Sequence, residues 1–300
     1  MSAPDGNQVS MTALVDALRG ALIERRDEQG IRRMVVPVEA GELLLMPAAG
    51  GRFVGTKIVS VAHGNPALGL PRIQGVYVLM DAATLTPVWQ TDASWLTLLR
   101  TTAVSMLGVR ELLVARGAPL ERALIIGSGP QAAQHVQAIV ELGMAGEVLL
   151  VGRNATAMEA FADRCQALYP TIVVRAASVA DVAGADLVVC CTSARTPLFD
   201  TDLVDDSAIV VAIGSHRPDE RELPAGLMGR AFLCLDGASG LDTAGDLVLA
   251  TSELGRPLTS CTLGEVVRGK TAVRGHGPWV FKSVGESWQD LAVAAALAPL

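Results

Sequence analysis

The 300-residue sequence has few aromatic residues and no run of basic ones. Aromatic side chains make up 4% of the chain although half of it is hydrophobic, so the core must be largely aliphatic. The formal net charge of −7 argues against nucleic acid or an anionic membrane as the main partner. Because no apolar run approaches the length of a membrane span, a membrane protein is not expected.

Cysteine is also scarce and shows no metal-binding or disulfide pattern. None of the five cysteines forms a CxxC pair, and Cys190 and Cys191 are adjacent inside an apolar run. This favours reduced core residues over a disulfide framework or a zinc site. No set of His, Cys and Asp residues has metal-ligand spacing, so no metal is expected. The first residues show no signal-peptide pattern, and we expect a cytoplasmic protein.

The spacing of apolar residues divides the chain into two regions. Apolar residues recur at helical spacing over residues 9–29 and 94–114, and the segments between these two ranges have the pattern of short strands. We therefore predict a mixed sheet with helices up to about residue 107. From residue 122 to about 275, nearly all-apolar strands alternate with helices. Such strands indicate a parallel sheet that is buried on both faces. The sequence therefore predicts an α/β protein.

A glycine-rich segment follows the strand ALIIG and precedes a helix. Its pattern is Gly127-x-Gly129-x-x-Ala132. The first glycine permits a tight turn, the second lets a pyrophosphate approach the backbone, and the alanine allows close packing of the helix. A purely structural glycine turn is the alternative, but the strand–helix context favours dinucleotide binding. The residues predicted here to contact the cofactor are Gly127, Ser128, Gly129, Pro130 and Gln131.

The end of the second strand of this region indicates which dinucleotide is bound. Folds that bind NAD usually carry Asp or Glu there, whereas this chain has Arg153 followed by Asn154. A guanidinium group suits the 2′-phosphate of NADPH. We therefore predict NADPH as the preferred cofactor, held in part by Arg153 and Asn154, with NADH as the second candidate. A solvated surface arginine is the alternative interpretation of Arg153.

Several further segments, in the same order, resemble the ornithine cyclodeaminase/mu-crystallin family. They are MPAAGGRFVGTKIVSVAHGN, VYVLMDAATLTPVWQTDASWLTLLRTTAVSMLG, GSGPQA, IGSHRPDEREL and FKSVGESWQDLA. The resemblance implies a Rossmann-type doubly wound parallel sheet inserted into a mixed α+β domain that binds substrate and forms a homodimer. The predicted domains are residues 108–277 for the dinucleotide and residues 1–107 with 278–300 for substrate binding and dimerisation.

The resemblance also implies a carboxylate-binding site. Lys57 lies in the apolar strand VGTKIVSVA, where burying an unpaired lysine is costly, and the family uses this lysine for the substrate carboxylate and proton transfer. Arg100 would clamp the same carboxylate, and Arg33 is a second such arginine by its spacing. The alternatives are a lysine at a strand edge and a surface helix arginine. Further cofactor contacts implied by the family are Thr101, Thr192 and Ser193.

Two positions differ from true cyclodeaminases. His216 stands where they carry a catalytic aspartate, and Leu44 stands where they carry a glutamate for the distal amine of the substrate. Because a leucine cannot pair with an ammonium group, the pattern is closer to the ketimine-reducing branch. For His216 two interpretations stay open, namely a substrate contact or proton relay and a loop histidine bonded to the backbone.

The sequence thus predicts an NAD(P)H-dependent oxidoreductase of proline metabolism that acts on C=N bonds. The expected substrates are small cyclic ketimine carboxylates, 1-pyrroline-2-carboxylate and 1-piperideine-2-carboxylate, which would give proline and pipecolate. The alternatives are an ornithine-type cyclodeaminase, an amino-acid dehydrogenase of the same fold, and a non-catalytic NADPH-binding protein. The predicted catalytic residues are Lys57, Arg100 and His216. The predicted substrate-binding residues are Arg33, Lys57, Arg100 and Leu44.

Overall fold

A computed structural model describes residues 9–24, 33–215 and 217–299 of the chain. The chain divides into two compact units. The first unit consists of Met1–Ala103 and Gly285–Leu300, and the second consists of Val104–Val284. The second unit is therefore inserted into the sequence of the first.

The first unit contains an antiparallel sheet and three helices. Its strands are β1 (Met34–Val38), β2 (Gly41–Gly50), β3 (Phe53–Ala62), β4 (Ile73–Asp81) and β5 (Pro87–Asp92), in that spatial order. Its helices are α1 (Met11–Glu24), the start of α2 (Ala93–Arg116) and α9 (Ser287–Leu297). The sheet is antiparallel throughout, not mixed as predicted, because each strand is joined to the next by a connection that reverses the chain. Residues 25–29 of the first predicted helix lie outside the described residues.

One face of this sheet is buried and the other is partly exposed. The buried face carries Met46 and Ala48 from β2, Gly55, Lys57 and Val59 from β3, and Tyr77 and Leu79 from β4. Helix α9 packs against these three strands, and α1 packs against α9. The period of two in burial follows from the alternation of side chains along a strand. It places the lysine of β3 inside the unit.

The second unit contains a parallel sheet of eight strands. They are β6 (Arg122–Ile126), β7 (Glu147–Val151), β8 (Val173–Ala176), β9 (Leu187–Cys190), β10 (Ile209–Ala212), β11 (Phe232–Leu235), β12 (Ser260–Thr262) and β13 (Trp279–Lys282). Its further helices are α3 (Pro130–Glu141), α4 (Ala155–Leu168), α5 (Ala225–Arg230), α6 (Gly240–Thr243), α7 (Gly245–Leu254) and α8 (Leu263–Val267). The spatial order is β12-β11-β13-β10-β9-β6-β7-β8. The predicted α/β class, with a parallel sheet and a separate second sheet, is confirmed.

Strand β13 departs from the predicted domain boundaries. A boundary at 277/278 assigns Trp279–Lys282 to the substrate domain, yet this strand lies between β10 and β11 and pairs with both in parallel. All four of its residues are buried. The division between the units instead falls at 103/104 and 284/285. An apolar strand fits either sheet by its pattern, and only the pairing decides between them.

Candidate active site

Lys57 is buried in the middle of β3 with 3% of its surface exposed. Its Nζ lies 2.8 Å from Oδ2 of Asp290 in α9 and 3.3 Å from Oγ1 of Thr97 in α2. The pKa of Lys57 is lowered from 10.5 to about 8, mainly by burial and in addition by the charges of Arg100 and Arg33, while the charge of Asp290 acts to raise it. A lysine with this pKa can exchange a proton close to neutral pH.

The carboxylate of Asp290 also faces Arg100. The Nε atom of Arg100 lies 3.3 Å from Oδ1 of Asp290, and its Nη1 donates to Oε1 of Gln289 at 2.9 Å. The guanidinium occupies space that Gly285 leaves, because a Cβ on Gly285 would lie 2.7 Å from Nη1. Two buried cations therefore share one buried anion, and the cluster carries a net positive charge. Such a site suits a small carboxylate.

The hydroxyl of Tyr77 is buried and has no hydrogen-bond partner among the described residues. Nε of Arg100 and Oδ1 of Asp290 make no hydrogen bond within the described chain either, but they face each other as an ion pair at 3.3 Å. Tyr77 pairs with Lys57 across β3 and β4, and burial, followed by the charge of Asp290, raises its pKa, so the phenol keeps its proton at neutral pH. Because a buried polar group without a partner is costly, the hydroxyl of Tyr77 beside this cluster indicates a contact for a polar ligand.

Asp290 is a residue that the sequence reasoning missed. The available signal is the one acidic residue of the mostly apolar helix SWQDLAVAAAL. Its side chain has no exposed surface. A carboxylate is rarely buried completely unless it is paired, so an acidic residue on a buried helix predicts a buried cation nearby. The sequence did not identify Lys57 and Arg100 as those cations.

The other residues that the sequence predicted for this site have different settings. Arg33 directly precedes β1, is half-buried, and acts on Lys57 through its charge. Leu44 pairs with Val59 and, by the alternation along β2, lies on the same sheet face as Lys57. Thr101 is buried and follows Arg100 in α2. His216 lies outside the described residues.

The predicted nucleotide loop joins β6 to α3 in the second unit. Gly127 has a φ of +144°, and a Cβ there would lie 2.7 Å from the carbonyl oxygen of Cys191, so glycine is required. Gly129 is the N-cap of the twelve-residue α3, and a Cβ there would meet nothing within 4 Å. Ser128 and Pro130 are exposed and Gln131 is half-buried. An open helix N-terminus after a glycine turn fits a pyrophosphate group.

The residues after β7 differ in their settings. Arg153 is exposed, whereas Asn154 is the N-cap of α4 and its side chain accepts from the N–H of Ala157 at 3.0 Å. A local structural role thus accounts for Asn154. The guanidinium of Arg153 stays at the surface where the second strand of the Rossmann motif ends. Its predicted role toward a 2′-phosphate stays a prediction.

A buried carboxylate network connects the loops that follow β9 and β10. Oε1 of Glu222 accepts from the N–H and hydroxyl of Thr192 at 2.7 and 2.8 Å, and Oε2 accepts from the N–H of Gly214 at 2.7 Å. Asp246 in turn accepts from the N–H of Glu222 and lies 2.9 Å from Nζ of Lys282. Ser193, next to Thr192, is exposed. The sequence reasoning found Thr192 and Ser193 but not the carboxylates that hold this loop.

Within residues 9–24, 33–215 and 217–299, no helix is long and apolar enough to cross a membrane. The same residues contain no group of three or more His, Cys, Asp or Glu side chains that could hold a metal ion.

Comparison with known proteins identifies relatives along almost the whole chain. Residues 5–298 match the model of the ornithine cyclodeaminase/mu-crystallin family. The chain is 34% identical over 263 residues to a Delta(1)-pyrroline-2-carboxylate reductase of Burkholderia multivorans, covering 87% of this chain and 81% of the relative. It is 33% identical over 263 residues, with the same coverages, to a Delta(1)-pyrroline-2-carboxylate/Delta(1)-piperideine-2-carboxylate reductase of Azospirillum brasilense.

Among solved structures, an archaeal alanine dehydrogenase dimer with bound NAD superposes with a TM-score of 0.85. It is 25% identical, and the match covers 97% of this chain and 91% of that one. The fold, the glycine loop and the matched family model therefore agree with the resemblance predicted from the sequence. The chain belongs to the ornithine cyclodeaminase/mu-crystallin family.

Proposed function

We propose that this protein is an NAD(P)H-dependent reductase of small cyclic ketimine carboxylates. Its substrates would be 1-pyrroline-2-carboxylate and 1-piperideine-2-carboxylate, and its products proline and pipecolate. The observation that carries the proposal is the buried cluster of Lys57, Arg100 and Asp290, two cations that share one anion. The relative at 34% identity is named as a reductase of the first imine and the relative at 33% as a reductase of both, which supports the same chemistry here.

Different side chains of the first unit would bind the substrate and transfer the proton. Arg100, fixed by Gln289 and Asp290, would bind the substrate carboxylate, with Lys57 as the second cation. A nicotinamide cofactor on the Gly127 loop would supply the hydride that the imine carbon accepts. Lys57, or a water molecule that it holds, would give the proton to the imine nitrogen. Fixing the carboxylate orients the C=N bond, and orientation accounts for much of an enzymatic rate enhancement.

The aliphatic side chains beside Lys57 favour a substrate ring that carries no second charge. Leu44 and Val59 are paired on the same sheet face as Lys57, and both side chains are aliphatic. An ornithine or lysine substrate would bring a distal ammonium group, whose desolvation here would not be compensated. This supports a ketimine reductase over a cyclodeaminase.

The test is an assay of the purified protein with each imine and with NADPH or NADH. We expect oxidation of the cofactor and formation of one equivalent of proline or pipecolate. Ornithine serves as the comparison substrate, and conversion of ornithine to proline without net cofactor oxidation would instead indicate a cyclodeaminase. If no imine oxidises either cofactor above the rate without protein, the proposed function is refuted.

A further inference from the structure

Lysine is rare in this chain, which makes each lysine informative. There are three, Lys57, Lys270 and Lys282. Two of them are buried, and each of these faces a completely buried aspartate. Nζ of Lys57 lies 2.8 Å from Asp290, and Nζ of Lys282 lies 2.9 Å from Asp246. The two pairs have the same chemistry but lie in different units, so they form a natural matched set.

The Lys57–Asp290 pair differs from the Lys282–Asp246 pair because Asp290 also faces a second cation, Arg100. We propose that Asp290 is a positioning residue: it holds Lys57 and Arg100 in place as two arms of one anion site and keeps Lys57 in its cationic form. The catalytic consequence rests on the proposed function, whereas the effect on Lys57 itself does not.

The geometry assigns one oxygen of Asp290 to each cation. Oδ2 contacts Nζ of Lys57 at 2.8 Å, and Oδ1 lies 3.3 Å from Nε of Arg100. Without this carboxylate, the two positive charges would face each other where little solvent screens them. With it, the cluster has one net positive charge, which a single substrate carboxylate neutralises.

The charged and titratable groups around Lys57 come from four segments. They are Asp290 in α9, Arg100 in α2, Tyr77 in β4 and Arg33 just before β1. Burial and the two arginines lower the pKa of Lys57, and of the groups that act on it in the described chain only Asp290 raises it. Tyr77 stays neutral because its own pKa is raised. Loss of the Asp290 charge should therefore make Lys57 a neutral amine at lower pH.

The first experiment is an NMR titration of the protein labelled with ¹³C at lysine Cε, in which three lysines give a readable spectrum. The variants are Asp290→Asn and, as the matched control, Asp246→Asn. In Asp290→Asn the titration midpoint of Lys57 should fall by about one to three pH units, the usual effect of one nearby opposite charge. In Asp246→Asn the midpoint of Lys57 should stay where it is in the wild type. An unchanged Lys57 midpoint in Asp290→Asn overturns the proposal.

A second substitution protects this test against a variant that does not fold. Asp290→Ser keeps a hydroxyl near Lys57 but removes the charge, so the same fall in the midpoint is expected. Asp290→Glu retains the charge and should keep the midpoint close to that of the wild type. If Asp290→Ser leaves the midpoint of Lys57 unchanged, a charge effect of Asp290 is excluded.

The second experiment measures turnover of 1-pyrroline-2-carboxylate by the same variants. At pH 8, Asp290→Asn should lower kcat about fivefold or more, since the protonated fraction of Lys57 falls from about one half to one tenth or less. KM should rise at the same time, because Arg100 loses one of its two partners and Lys57 is then mostly neutral. The basic limb of the pH profile should move by the same amount as the NMR midpoint, and Asp290→Glu should restore it.

The two experiments separate this inference from the proposed function. A wild-type protein that reduces no ketimine refutes the proposed function, while a shifted Lys57 midpoint in Asp290→Asn still supports the charge effect. In Asp290→Asn, the Lys57 midpoint could shift while the basic limb of the pH profile of turnover stays in place. That result would show that Asp290 does not act on catalysis through Lys57, which overturns its catalytic positioning role.

Discussion

At the scale of single residues, the cost of burying Lys57 determines its chemistry. A lysine with 3% exposure loses most of its hydration, and the nearby arginines add repulsion. One carboxylate offsets part of this cost, so the pKa settles at about 8, well below 10.5. The same burial that makes the residue expensive therefore makes it a usable proton donor near neutral pH.

We expect Lys57→Met to abolish turnover while the protein still folds, because Asp290 keeps Arg100 as its partner. Loss of a proton donor typically lowers kcat by ~10²–10⁴-fold. Binding of NADPH should be retained, since the Gly127 loop lies in the second unit. Steady-state kinetics, circular dichroism and cofactor fluorescence measure these effects. The exposed Lys270→Met is the control, and near-normal kcat in Lys57→Met would assign the lysine a structural role.

The activity should depend on pH through Lys57. Its pKa of about 8 means that the donor is protonated below this value and loses its proton as the pH rises through 8. Hence kcat/KM should fall on the basic side with a midpoint near pH 8. An arginine stays charged over this range, so the residual activity of Lys57→Arg should lack this limb. A wild-type profile that stays level to pH 9.5 would exclude Lys57 as the donor.

We further expect NADPH to be preferred over NADH because Arg153 stands where an acidic residue would hold the ribose hydroxyls of NAD. Arg153→Asp should raise KM for NADPH and improve the use of NADH, since a carboxylate repels the 2′-phosphate. Kinetics with both cofactors measure the ratio of kcat/KM values. Arg164→Asp, an exposed arginine of the same unit, is the control for a general change of charge. Equal ratios in Arg153→Asp and the wild type would show that Arg153 does not contact the ribose.

At the scale of elements, the turn between β6 and α3 contains two glycines with different roles, one structural and the other in binding. Gly127 needs its positive φ and the space beside the carbonyl of Cys191. Gly129 needs neither, because nothing in the described chain would touch its Cβ. Close approach of a ligand is then the remaining physical reason for a glycine at position 129.

This difference predicts two distinct outcomes for alanine at the two positions. Gly127→Ala should destabilise the protein by about 1–3 kcal/mol because of the strained backbone and the contact with Cys191. Gly129→Ala should leave the thermal unfolding temperature near that of the wild type and weaken NADPH binding at least about tenfold. Calorimetry and fluorescence titration measure the pair. Unchanged cofactor affinity in Gly129→Ala would remove the loop from the binding site.

At the scale of the whole molecule, the first unit has one sheet face that its described residues leave partly open. Half-buried aliphatic side chains line this face, namely Leu43, Leu45, Ile58, Val76 and Val78. The edge strand β1 (Met34–Val38) is exposed at all five positions. An exposed apolar edge strand and sheet face are features of an interaction surface. We propose that a second copy of the chain covers it.

Sedimentation equilibrium at micromolar concentration tests this dimer. The wild type should sediment at twice the 31.2 kDa chain mass, and Val36→Arg in β1 should shift it to the monomer, because a buried unpaired charge opposes association. Val114→Arg replaces a valine that is 81% exposed in α2 and should have no effect. A wild-type protein that sediments as a single 31.2 kDa species contradicts the dimer.

Local interactions explain what could be predicted from the sequence alone. The spacing of apolar residues predicted most strands and helices, and the context of Gly127 and Gly129 predicted the strand–turn–helix unit. These features depend on residues that are close in the chain, so a single sequence carries them. The family order of Lys57, Arg100 and the glycine loop added the candidate site. The names of the relatives agree with the predicted enzyme class.

Only the tertiary structure decided the long-range pairings. Asp290 reaches Lys57 across 233 positions of the chain, and the sequence does not reveal which cation a lone buried acid will meet. Strand β13 enters the parallel sheet between β10 and β11, although its apolar pattern would fit either unit. Both outcomes follow from packing and from charge compensation between distant segments, for which the local pattern of residues contains no signal.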